Sequence, residues 1–126
     1  MLTIRLDTPT PLADQIVTGL RCAIASRELR PGDGLPTVRQ LAADLGINMN
    51  TVSRAYRALE ASGLVSTVRG RGTVVSASHA SGGEIGAAEL GARVRAVLSD
   101  ARLVGLDRPA TESLVRDAIE TIWSKE

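Results

Sequence analysis

Asn50, Ser53, Arg54 and Arg57 stand at i, i+3, i+4 and i+7, the spacing that gathers side chains on one face of a helix. These residue types hydrogen-bond to nucleic acid. Asparagine pairs bidentately with adenine, arginine with guanine, and serine with either base or phosphate. No acid follows on this stretch until Glu60. Solvated helix faces usually mix acids among their bases, so an acid-free face suits a polyanion. A lone polar stripe is nonetheless what any exposed helix shows, and the neighbouring elements must decide.

The helix that carries this face is set by an opposite apolar stripe, Val52, Ala55, Tyr56 and Leu59. Asn48 is placed to cap its start, and Gly63 to end it. Before it, Thr37 followed by Gln40 has capping-box spacing, which predicts a helix starting at Thr37 with Val38, Leu41, Ala42 and Leu45 turned inward. Gly46 stops that helix by supplying the positive φ of a sharp turn. Two helices across a tight glycine turn form a helix-turn-helix, whose second helix enters the major groove by its first residues. Ala42, Gly46 and Val52 fit that motif as the small residue at the crossing, the turn glycine and the aliphatic lock.

Upstream, Leu12, Ile16, Leu20, Ala23 and Ile24 predict a helix over residues 11–27, and Pro31-Gly32-Asp33-Gly34 then breaks the chain. Downstream, β-branched runs at 64–68 and 73–76 flank Arg69-Gly70-Arg71-Gly72, predicting a hairpin. A glycine-rich tip alone is a tight turn. After a helix-turn-helix, its paired cations and approachable backbone read as a wing that touches DNA.

Residues 76–83, SASHASGG, have the composition of a linker. Beyond it Leu90, Val94, Val97, Leu98, Ala101 and Val104 form one stripe on a helix of about twenty residues. Residues 105–109 read as a turn, and Leu114, Val115, Ala118, Ile119, Ile122 and Trp123 give a last helix a wide apolar face. The expected fold is mainly α with a small β-hairpin: a winged helix-turn-helix over 1–78, then a linker and two-helix region over 79–126. A two-helix hairpin has no third layer, so a second copy is expected to cover it. The homodimer interface is then Leu90, Val94, Val97, Leu98, Ala101, Leu114, Ala118, Ile119, Ile122 and Trp123.

Composition narrows the function class. The chain is 44% hydrophobic with no Phe, one Tyr and one Trp, so its core must be aliphatic. Net charge is +1, but residues 1–79 hold nine arginines against six acids, while 80–126 hold six cations against eight acids. The basic front half therefore suits a polyanion partner. No apolar run approaches the roughly 20 residues that span a bilayer, and no signal peptide opens the chain. The single Cys22 permits no internal disulfide and suits a reducing compartment, so a cytoplasmic protein without a membrane partner is expected. With no nucleophile motif, phosphate loop or ligand cluster, neither an enzyme nor a cofactor nor a metal is expected. His79 stands alone in the linker, and Cys22 lies off the core stripe without a cation pattern to activate it.

The segments PLADQIVTGLRCAI and LRPGDGLPTVRQLAADLGINMNTVSRAYRALEASGLVSTVRGRGTVV resemble the winged-helix domain of the GntR family of bacterial transcription regulators. The motifs LRPGDxLPTxRxLAxxLG, NTVxRAYxxLExxGL and GxGTxV carry the resemblance. Asn48 and Asn50 before Thr51, with the short two-helix tail, are similar to the YtrA subfamily. The resemblance implies a repressor that binds an inverted-repeat operator in double-stranded DNA as a homodimer, often near genes for an ABC transporter. It implies DNA contacts from Thr37 and Arg39, from Asn48, Met49, Asn50, Thr51, Ser53, Arg54 and Arg57 along the recognition helix, and from Arg69, Gly70, Arg71, Gly72 and Thr73 of the wing. Without it, Arg39 divides evenly between a phosphate at the helix start and an ion pair with Asp44 or Glu60. The chain departs from the family at Ala13, commonly an aromatic, at Met49, often a proline in YtrA-like chains, and at Val74, usually phenylalanine. The competing function is a protein-interaction module, with the winged helix as scaffold and the terminal helices docking a partner. A small-molecule effector is compatible with either function, and the sequence does not identify one.

Overall fold

The computed structural model describes residues 4–77 and 86–124. The chain forms two compact units, Met1–Gly83 and Glu84–Glu126. The first holds α1 (Leu12–Ala25), α2 (Val38–Leu45), α3 (Met49–Ala61), β1 (Val65–Val68) and β2 (Gly72–Val75). The second holds α4 (Ala87–Leu103) and α5 (Arg108–Trp123). The architecture is mainly α with one small hairpin, as the sequence predicts. His79 and most of the expected linker lie outside the described residues.

In the first unit the core is aliphatic except for Tyr56. Ile16, Leu20 and Ile24 of α1, Leu41 and Ala42 of α2, Val52, Ala55, Tyr56 and Leu59 of α3, and Val65 and Val75 of the hairpin form one buried cluster. Val38 and Leu45 pack against its edge. The stripe on α1 ends earlier than its pattern suggests, at Ala25 rather than 27. The Ser26 N–H donates to the Cys22 carbonyl at 2.9 Å, and Arg27 takes a left-handed φ of 66°. Glycine usually fills such a position, because a side chain there crowds the following carbonyl. Arg27→Gly should therefore raise stability by about 1 kcal/mol, read as a higher melting temperature.

The hairpin register pairs Val65 with Val75 and Val68 with Gly72. Its tip is thus three residues, Arg69-Gly70-Arg71, and not four. Gly72 belongs to β2 despite its φ of 76°, so the strands are 65–68 and 72–75 rather than 64–68 and 73–76. Leu64 closes the end of α3 instead, its N–H donating to the Leu59 carbonyl at 3.1 Å. Gly34 bridges to Val74 from outside the two strands, which adds the PGDG segment to the edge of the wing.

In the second unit, Gly105 (φ 99°) ends α4, with Leu106 N–H donating to the Ala101 carbonyl and Gly105 N–H to that of Arg102. This double closure is a Schellman motif. Val104 falls in the turn and is 77% exposed, so it does not continue the α4 stripe. The α5 helix starts at Arg108, inside the expected turn, because Asp107 caps it by accepting the Ala110 N–H at 2.9 Å and Pro109 suits a first turn. Ala101 is the only buried residue among those described in this unit.

Candidate nucleic-acid interface

Local capping chemistry builds the helix-turn-helix. Thr37 Oγ1 accepts the Gln40 N–H at 3.0 Å while Gln40 Oε1 accepts the Thr37 N–H at 2.9 Å, a complete capping box. Gly46 (φ 69°) ends α2, and Ile47 N–H donates back to the Ala42 carbonyl at 3.0 Å. Asn48 Oδ1 accepts the Asn50 N–H at 2.7 Å, which starts α3 and leaves the Asn48 amide NH2 free to donate outward. Ala42 and Val52 are both buried where the two helices pack.

This packing turns α3 as its stripe predicts. Asn50, Arg54 and Arg57 are exposed, Thr51 and Ser53 are half-buried beside them, and Met49 at the first turn is 45% exposed. Arg39 is exposed in the first turn of α2. Among the described residues the ion pairs are Arg5–Asp7, Arg93–Glu89 and Arg108–Glu112, so neither Asp44 nor Glu60 pairs with Arg39. Glu60 instead accepts the Thr67 hydroxyl at 3.3 Å, on the strand that leads to the wing tip. The wing cations differ from one another. Arg71 Nη2 donates to the Gly32 carbonyl at 3.3 Å, whereas Arg69 has no protein partner among the described residues. Gly70, Gly72 and Arg71 are exposed, and Thr73 is half-buried.

One side chain escaped the sequence reading. Tyr56 lies on the buried stripe, yet its hydroxyl donates to the Pro36 carbonyl at 2.6 Å, immediately before the α2 cap. Burial pushes its phenol up to about 12. The folded chain therefore favours the neutral phenol more than the unfolded chain does. That stabilisation is complete below pH 10 and is lost as pH rises towards about 12. Alkaline unfolding followed by circular dichroism should steepen across this window, and Tyr56→Phe should remove that component.

The tail presents a different surface. Ten of the thirteen exposed large apolar side chains among the described residues belong to α4, α5 and their turn, among them Leu98 (37%), Ile119 (49%) and Trp123 (56%). Between the helices lie two grooves. One, of about 340 Å³, is almost wholly apolar and lined by Val94, Val97, Leu114, Ala118, Ile122 and Trp123. The other, of about 800 Å³, adds Arg102, Arg108 and Arg116 together with Asp107 and Glu112, so its wall is of mixed charge. Leu98, Val115 and Ile119 border both. Leu90 is exposed on the first turn of α4. No helix among the described residues is long and apolar enough to cross a membrane.

Three helices with a two-stranded hairpin after a glycine-turned helix pair constitute a winged helix-turn-helix. The family model described as "Bacterial regulatory proteins, gntR family" matches residues 12–75, and the chain belongs to that family. It is similar to the HTH-type transcriptional repressor YtrA of Bacillus subtilis, at 42% identity over 60% of this chain and 58% of that protein. The chain thus spans little more than half the length of that relative. Among solved structures, YtrA from Sulfolobus acidocaldarius, a GntR-family transcription factor, aligns with a TM-score of 0.60 at 36% identity, covering 78% of this chain and 97% of that one. A transcriptional antiterminator from Listeria monocytogenes aligns with a TM-score of 0.77 at 26% identity, covering 97% and 92%.

Proposed function

We propose that this GntR-family chain is a repressor that binds an inverted-repeat operator as a homodimer, in the manner of the YtrA-like regulators it resembles, and controls an ABC transporter operon. The observation that carries the reading is the absence of acids from the first turn of α2 and from α3 as far as Glu60, where Arg39, Arg54 and Arg57 are exposed and unpaired among the described residues. Arginines on helix surfaces that carry no acid beside them suit a polyanion such as the phosphate backbone.

Roles follow from position. Asn50, Ser53, Arg54 and Arg57 read base edges, and Met49 offers an apolar contact to a thymine methyl. Arg39, Thr37, Asn48 and Thr51 meet the backbone near helix N-termini, where the dipole favours phosphate. Arg69 leads the wing contact, with Gly70, Gly72 and Thr73 giving backbone access and Arg71 bracing the tip on Gly32. The first unit binds DNA, and the second unit pairs two copies through α4 and α5.

Arg54→Ala and Asn50→Ala should each cost about 1–3 kcal/mol against the best operator and relax base preference, while Arg39→Ala weakens all sequences alike. Fluorescence anisotropy with operator and scrambled duplexes reads the difference. A base preference changed by Arg39→Ala and untouched by Arg54→Ala would reverse the roles.

A further inference from the structure

We infer that the Tyr56 hydroxyl is a positioning group for DNA binding: through the Pro36 carbonyl it fixes the start of α2, and with it Arg39, against the recognition helix. The inference rests on the DNA-binding reading above and adds a residue that never touches DNA. A buried hydroxyl among aliphatic side chains costs free energy unless it finds a partner, and phenylalanine would fill nearly the same volume without that cost. The chain contains no Phe and this one Tyr. What the hydroxyl adds is a tie 20 residues back along the chain, 2.6 Å long, from the middle of α3 to the residue before Thr37.

The tie completes a junction. The segment before α2 is held on its other side by the wing: Gly32 N–H donates to the Val75 carbonyl (2.9 Å), Val75 N–H to that of Asp33 (2.8 Å) and Leu35 N–H to that of Thr73 (2.8 Å). Arg71 reaches Gly32 from the wing tip. Pro36 has no N–H, and its carbonyl accepts from Tyr56 and from no other group among the described residues. Residues 32–37 therefore join three surfaces: the wing through backbone bonds, the recognition helix through Tyr56, and the α2 start through the Thr37 cap. Arg39 lies two residues beyond that cap. Its guanidinium has no protein partner among those described, so its placement depends on the backbone beneath it.

A double-mutant cycle on the full chain tests this, with anisotropy on a mixed-sequence duplex at low salt. Tyr56→Phe should weaken binding about three- to tenfold, the worth of one hydrogen bond. In an Arg39→Ala background the same change should cost less than about twofold, while in an Arg69→Ala background it keeps its full effect. A general loss of stability would act equally in both backgrounds. No loss on Tyr56→Phe, or an equal loss in the Arg39→Ala background, overturns the inference. Wild-type protein that fails to bind overturns the DNA reading and this inference together, and is seen separately because every variant then fails. Amide hydrogen exchange gives a second readout, with the core amide of Leu59 as the control for folding. Gln40 and Leu41 should exchange several-fold faster in Tyr56→Phe than in the wild type while Leu59 is unchanged, and equal rates at Gln40 and Leu41 overturn the tie.

Discussion

Affinity for duplex DNA should fall by about three to four orders of magnitude between about 50 and 200 mM salt. Arg39, Arg54, Arg57 and Arg69 are exposed and without ion pairs among the described residues, so a dimer offers eight such cations. Each phosphate neutralised contributes about −0.9 to the slope of log affinity against log salt, so eight give about −7. Some of these arginines are assigned to bases and release fewer counterions, which brings the expected slope to between about −5 and −7. Arg39→Ala should reduce it by about two in a dimer, one per protomer. A flat plot would remove DNA from the account.

Leu98→Asp or Ile119→Asp should dissociate the protein and weaken operator binding about 100-fold or more, with little change in binding to a single half-site. Both side chains border the two grooves between α4 and α5, and both are partly exposed in one chain (37% and 49%). Two helices alone cannot cover such a surface, and a second hairpin would complete a four-helix layer. Burying roughly 800 Å² per partner at about 25 cal/mol per Å² gives gross apolar burial of many kcal/mol, against which an unpaired carboxylate at the centre costs several. Losing the pairing removes the high local concentration of the second winged helix, so the operator suffers and the half-site does not. The first unit should stay folded in these variants, since its core lies wholly within that unit. Light scattering at micromolar concentration reads the oligomer. A monomeric wild type would end the dimer proposal.

The legible parts of this fold were those whose signals are local. Thr37 with Gln40, Gly46, and Asn48 are each within a few residues of the backbone groups they satisfy, so the boundaries of α2 and the turn could be read directly. The outward face of α3 followed from its inward one. What spacing missed depends on contacts across the chain or on the absence of a usual residue. The α1 end is hidden in the sequence because Arg27 occupies a left-handed position without a glycine to mark it. Tyr56 read as core because periodicity sees a ring and not where its hydroxyl points. The contact from Arg71 to the Gly32 carbonyl was hidden because the two residues lie 39 apart in the chain. Asp107 is legible in principle, as an N-cap with Pro109 following.

Hydroxyl-radical footprinting on the region upstream of the chain's own operon, at about 50 mM salt where phosphate contacts are strongest, tests operator binding by a dimer. Two protected patches related by a dyad are expected, their centres separated by whole helical turns, with the patches fading together in Arg39→Ala. Leu98→Asp should lose both patches at concentrations where wild-type protein protects them. Protection spread evenly along the duplex, or none at micromolar protein, would contradict an operator-binding dimer.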